Sequence, residues 1–149
     1  MSESVSAVMP DAEKSRAAIV TIRCSDSIKE AAVRMLSHNV GCLIVNDDQD
    51  RLVGLVTERD IARHVAVTPD SGEDILVGQI MTDHVVSCHS NITASEARRL
   101  MMAHRIRHLP LMENGKVVGI LSARDIISQQ LLEDRAAAEE VAMLSKCLK

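Results

Sequence analysis

The chain of 149 residues contains no phenylalanine, tyrosine or tryptophan. A bound base therefore has no ring to stack on and must lie between aliphatic side chains and backbone. An aromatic platform for single-stranded nucleic acid is excluded. No apolar run is long enough to span a bilayer, and Met1-Ser-Glu-Ser-Val-Ser6 lacks the basic and apolar stretches of a secretory signal. A cytoplasmic location without a membrane partner is the default expectation. Positive charge is scarce: 17 Lys and Arg stand against 21 Asp and Glu, a net charge of −4. General nucleic-acid binding needs a basic face that neutralises phosphates, so that class is disfavoured. The four cysteines, Cys24, Cys42, Cys88 and Cys147, form no C-x-x-C pair. Scattered in this way they read as reduced, mostly buried thiols. No nucleophile–base motif and no G-x-x-x-x-G-K-[ST] phosphate cradle is present, so no catalytic role is expected.

What is present is a core-forming composition, 46% apolar and 26% charged, and a sequence that contains itself twice. Gly54-Leu-Val-Thr-Glu-Arg-Asp60 matches Gly119-Ile-Leu-Ser-Ala-Arg-Asp125 at an offset of 65. Upstream, Glu30-Ala-Ala-Val-Arg-Met35 matches Glu96-Ala-Arg-Arg-Leu-Met101, His38 matches His104 and Leu43 matches Leu109, all at 66. The lost residue falls in a polar turn, where a length change costs little. A weaker pair is Val5-Ser-Ala-Val-Met9 with Val77-Gly-Gln-Ile-Met81.

Each repeat predicts β-α-β-β-α. A short β-branched run, Ala18–Arg23 or His84–Ser87, precedes a capping box, Ser27-x-x-Glu30 or Thr93-x-x-Glu96. The helices opened there place Ile28, Ala31, Ala32, Met35 and Leu36, and then Ala97, Leu100 and Met101, on their apolar faces. Hairpins over Val40–Val45 with Arg51–Val56, and Ile106–Met112 with Lys116–Leu121, lead to second helices at Thr57 and Ser122. The fold class is α/β, two small mixed sheets related by a pseudo-two-fold axis, because a unit of about 60 residues buries too little apolar surface alone. The expected organisation is a first repeat over 1–66, a linker over 67–76, a second repeat over 77–132 and a helical tail over 133–149. In the tail Ala137, Val141, Leu144 and Leu148 form a stripe, to pack on its own module or on a second subunit.

Thr57-Glu-Arg-Asp60 and Ser122-Ala-Arg-Asp125 are the residues that invite a ligand. Such a box caps many helices that bind nothing. Here both copies follow a Gly-apolar-apolar strand, and a strand entering a helix presents free N–H groups and a positive dipole end. A hydroxyl and a carboxylate at that point suit a sugar. His104 and His108 are four apart, but Pro110 ends the helix between them, so a metal pair is not expected. Cys24 and Cys88 read as equivalent positions, packing rather than reacting.

Together Val77-Gly-Gln-Ile-Met-Thr82, Glu96–Met101, Ile106-Arg-His-Leu-Pro-Leu111 and the two Gly-h-h-[Ser/Thr]-x-Arg-Asp signatures make the chain resemble a tandem pair of CBS domains, a Bateman module, over roughly residues 5–130. The resemblance implies a regulatory adenosyl ligand, AMP, ADP, ATP or S-adenosylmethionine, with no required cofactor. It implies that Asp60 and Asp125 hold ribose beside Thr57 and Ser122. It implies that backbone around Gly41–Ile44 (with Cys42) and Leu109–Leu111 (with Pro110) reads the adenine edge, and that Arg107 and His108 contact phosphate. The first repeat has Gly41 and Cys42 where the second has Arg107 and His108. One site combining Thr57 and Asp60 with Arg107 and His108 is therefore expected to be the stronger. The resemblance also implies a homodimer whose output goes to a protein partner or through its own assembly. The rival reading is a ligand-free CBS pair acting as a dimerisation or docking scaffold.

Overall fold

A computed structural model describes residues 19–68 and 75–147. The match between Val5–Met9 and Val77–Met81 and the stripe residue Leu148 lie partly or wholly outside them. The first sheet has the order β1-β2-β3, with β1 (Thr21–Arg23) parallel to β2 (Cys42–Asn46) and β2 antiparallel to β3 (Leu52–Thr57). Helix α1 (Ile28–His38) joins the first two strands and α2 (Glu58–Val67) follows the third. A short helix α3 (Val77–Ile80) leads into the second sheet, β4 (Cys88–His89), β5 (His108–Glu113) and β6 (Lys116–Ser122), with the same order and senses of pairing. Helix α4 (Ala94–His104) joins β4 to β5, and α5 (Ala123–Cys147) closes the chain. This is the expected α/β architecture of two small mixed sheets. Among the described residues no helix is long and apolar enough to cross a membrane.

Local chemistry explains most of these elements. Thr93 forms the full capping box: its hydroxyl accepts from the Glu96 N–H, and the Glu96 carboxylate accepts from the Thr93 N–H and hydroxyl. The first repeat departs from this. Ser27 accepts from the Glu30 N–H, but the Glu30 carboxylate turns along the helix to Arg34 at 2.9 Å, so only half of the expected box exists. Both first helices end on a left-handed residue, Asn39 and Arg105. The second hairpin turns on Asn114-Gly115, both at positive φ, as a two-residue type I′ turn requires. In the longer first turn the Asp47 carboxylate accepts from the Gln49 and Arg51 N–H groups.

The helical faces are largely as expected. Ile28, Ala31 and Met35, and Ala97 and Met101, are buried, whereas Leu36 is 83% exposed. The expected strand at His84–Ser87 is displaced: β4 begins at Cys88. Strand β1 likewise begins only at Thr21, the counterpart of Ser87, so Pro110 bears on Ser87 alone. In the first repeat the Ile44 N–H donates to the Val20 carbonyl at 3.0 Å, and Pro110, at the equivalent position, has no N–H to give. The sheet registers also correct the cysteines. Cys88 pairs with Leu111 as Ile22 pairs with Val45, so Cys88 corresponds to Ile22 and not to Cys24.

Three apolar clusters hold the molecule together. One lies within each repeat, around Leu43 and around Leu109. The third joins the two: Cys42, Ile44 and Leu55 pack with Val85, Val117 and Ile120. Val77 is fully buried, but in the first repeat's core. Its N–H donates to the Asp26 carbonyl, and the Leu55 and Thr82 backbones exchange hydrogen bonds at 3.0 and 2.8 Å. The segment that opens the second repeat is thus clamped to the first. The tail does not pack on its own module: residues 131–147 are all exposed, including Ala137, Val141 and Leu144.

Candidate functional site

The signature residues sit where each third strand becomes a helix. At the head of α2 the Thr57 hydroxyl accepts from the Asp60 N–H, while Asp60 Oδ2 accepts from the Thr57 N–H and hydroxyl, both at 2.8 Å. At the head of α5, Ser122 and Asp125 repeat this arrangement, with the hydroxyl contact at 2.6 Å. One carboxylate oxygen is thereby fixed, and among the described residues Oδ1 of each Asp makes no hydrogen bond. A rigid carboxylate with an open oxygen suits a hydroxyl-rich ligand such as a ribose.

The supply of amide donors is smaller than the sequence implies. The Glu58 N–H donates to the Gly41 carbonyl at 3.1 Å, and the Ala123 N–H donates to the Arg107 carbonyl at 2.8 Å. With the Asp60 and Asp125 amides bound to hydroxyls, two of the first three amides of each helix are already engaged. Of the positions expected to read the adenine edge only Gly41 takes part in these linkages, and the other linkage falls on Arg107, expected at phosphate. Gly41 and Arg107 precede β2 and β5, Cys42 and His108 begin them, and Cys42, Leu109 and Pro110 bury their side chains. Leu109 and Pro110 can therefore offer a ligand their backbone alone.

The repeats pack together through Cys42, Ile44 and Leu55 against Val85, Val117 and Ile120, and His108 lies within electrostatic reach of carboxylates of both. This half-buried imidazole feels Arg107 beside it, Asp125 of its own repeat, and Glu58 and Asp60 of the other. Burial, then the Arg107 charge, pushes its pKa down, and the three carboxylates oppose that without reversing it. The shift favours the uncharged imidazole, so of the two residues expected to contact phosphate the fixed cation is Arg107, which is exposed. Glu58 is the residue that motif reading passed over. A Cβ on Gly41 would lie 3.3 Å from Glu58 Oε2, so this carboxylate lies against the start of β2. The second repeat has Ala123 at that helical position. Its signal was the variable residue inside Thr57-x-Arg-Asp60.

Asp60 also borders a shallow groove of about 450 Å³, lined further by Arg63, His64, Ala66, Val67 and Ile80, a volume in the usual range for small ligands. The cysteines are all free thiols. Burial raises the Cys42 thiol to about 12, helped by the Asp60 charge, and Cys88 to about 11, so both are protonated, inert packing groups. His104 ends α4 and His108 begins β5, so they share no helical face. Among the described residues no cluster of three His, Cys, Asp or Glu could hold a metal ion.

This geometry has counterparts in known proteins. A CBS domain-containing protein of Bacillus subtilis, YhcV, is 32% identical over 120 residues, covering 80% of this chain and 84% of that protein. An uncharacterized 17.7 kDa protein of Acidianus ambivalens is 37% identical over 109 residues, 72% of this chain and 65% of its own. The chain spans 59% and 65% of the length of two of the curated relatives it matches. Among solved structures, a putative signal-transduction protein with CBS domains from Burkholderia ambifaria superposes with a TM-score of 0.77 at 32% identity, covering 87% of this chain and 94% of that one. The CBS domain pair of protein MJ0100, solved with 5′-methylthioadenosine and S-adenosyl-L-methionine, superposes with a TM-score of 0.66 at 29% identity, covering 74% and 89%. The model of the CBS domain matches twice, over residues 11–67 and 77–131, and with the two sheets repeating strand for strand the chain belongs to the CBS-domain family.

Proposed function

We propose that the protein is a cytoplasmic, non-catalytic regulatory module. It binds an adenosine-containing small molecule in the cleft between its two CBS domains and signals through conformation or assembly as a homodimer. The observation that carries this reading is that carboxylates of both repeats reach His108. Asp60, held rigidly by Thr57 with one oxygen open, acts on a side chain of the other repeat together with Glu58. A ligand seated there touches both domains, so its binding free energy bears on their relative arrangement. The pair of protein MJ0100, solved with two adenosyl compounds, supports the ligand class.

The missing aromatics make the test direct. Without Trp or Tyr, the purified protein is nearly transparent where adenine absorbs, so a co-purified adenosyl ligand dominates the near-ultraviolet spectrum. Thermal melts with added AMP, ADP, ATP and S-adenosylmethionine then measure linkage. A ligand at a hundred times its Kd adds about 2.7 kcal/mol to the folded state. A bare spectrum with no shift at millimolar ligand would leave the empty scaffold as the better account.

A further inference from the structure

We propose that the cleft selects an adenosine derivative with an uncharged or cationic 5′ group over one with a phosphate chain, and that Glu58 sets this preference. The inference rests on the adenosyl reading above and narrows it.

Four observations converge. First, a phosphate needs donors, and two of the first three amides at the Asp60 corner are already engaged. The Thr57 hydroxyl gives its proton to Asp60, and the Glu58 and Asp60 amides go to Gly41 and Thr57. The corner that remains is rich in acceptors, which suits the hydroxyls of a ribose and not the oxygens of a phosphate. Second, the Glu58 carboxylate lies against Gly41, at the start of the strand whose backbone would face the base. A phosphate chain on a ribose held by Asp60 starts a few bonds from it. Third, the fixed charges acting on His108 are three carboxylates, Asp125, Glu58 and Asp60, against the single guanidinium of Arg107. Fourth, the second repeat lacks the acid: Ala123 stands where Glu58 does, and Arg107 where Gly41 does. The anionic corner is thus a property of the first repeat and not of the fold.

Titration calorimetry on the full chain, without divalent cations so that phosphates keep their charge, tests this. The ligands are adenosine, 5′-methylthioadenosine, S-adenosylmethionine, AMP, ADP and ATP, against the native protein and Glu58→Gln. Glu58 is exposed, so the isosteric change leaves the core intact, and a melt of the free variant checks it. The expected result is that affinity falls from adenosine to ATP by about tenfold or more, as like charges a few ångströms apart in a half-buried cleft require. Glu58→Gln should raise the affinity for ATP relative to adenosine by about threefold or more. Tighter binding of ATP than of adenosine, or an unchanged ratio in Glu58→Gln, overturns the inference and leaves the adenosyl reading standing. So does a loss of ATP binding in Arg63→Gln, which would mean that the phosphates run along the α2 groove. Failure of all six ligands to bind overturns the adenosyl reading and this inference with it.

Discussion

Asp60 and Asp125 are alike in their capping boxes and differ in what stands near them. Asp60 has Glu58 two residues before it and Cys42 across the sheet corner, while Asp125 has Ala123 and its own repeat's Arg107 and His108. The first cleft is the one expected to be the stronger, because the basic Arg107 and His108 of the second repeat are expected to face Asp60. Asp60→Ala should weaken adenosyl binding by roughly 1.5–3 kcal/mol, the worth of a charged acceptor, and Asp125→Ala by less. Calorimetry giving the reverse order would move the site to the second repeat. His108 carries a separate prediction. Its folded-state pKa lies below the ordinary value of 6.5, so as the pH falls the unfolded chain takes up a proton that the fold resists. The stability from neutral His108 is full above the ordinary value and drains as the pH drops through the window below it. Melts of the ligand-free protein between about pH 7.5 and about pH 5.5 should show this loss, and His108→Gln should flatten it. Asp47 and Glu96, whose pKa values are lowered by hydrogen bonds from Arg51 and Thr93, act only at lower pH, where carboxylates take up protons.

Equivalent elements of the two repeats have unequal duties. Gly54 in β3 and Gly119 in β6 occupy the same place in the signature, yet β3 alone carries the clamp from the next segment. A Cβ on Gly54 would lie 2.6 Å from Met81 Sδ and 2.9 Å from the Thr82 carbonyl oxygen. A Cβ on Gly119 meets nothing closer than Leu111, at 3.5 Å. Gly54→Ala should therefore cost roughly 1–3 kcal/mol through overpacking against backbone. Gly119→Ala, whose added carbon makes only ordinary contact with Leu111, should cost clearly less. Urea denaturation measures both, and equal costs would mean that the Leu55–Thr82 contact yields freely. Helix α5 shows the same inequality. It continues from the second signature without a break to Cys147, and at 25 residues it is about 37 Å long. Its first turns bury Ile126, and residues 131–147 stand clear of the module.

At the scale of the whole molecule, large apolar side chains stand exposed on four helices. Val65 and Val67 on α2, Leu36 on α1, Met102 on α4, and Leu131, Val141 and Leu144 on α5 are all exposed. Helix α2 buries none of its residues. A second copy would remove such faces from water, and closed two-fold association is the commonest way to do so. Sedimentation velocity at micromolar concentration should give a dimer, and a monomer throughout that range would overturn this part of the proposal.

The sequence by itself determined the repeat, the order of strands and helices within it, the capping of α2, α4 and α5, and the signature residues. All of these rest on interactions spanning a few positions: a hydroxyl three residues from a carboxylate, alternating apolar residues, an Asn-Gly turn. What lay beyond it depended on contacts between distant residues. Leu36 satisfied the helical period and was left exposed, because the period fixes a face and not the width that a small sheet covers. That β4 starts one residue later than its counterpart β1 goes with the missing N–H of Pro110, at the place where Ile44 donates to Val20. The packing of Val77 into the first repeat, the lowered pKa of His108 and the position of Glu58 against Gly41 were decided by the tertiary structure alone. Each depends on how two segments far apart in the chain meet, and burial and electrostatic work are set by that meeting rather than by local pattern.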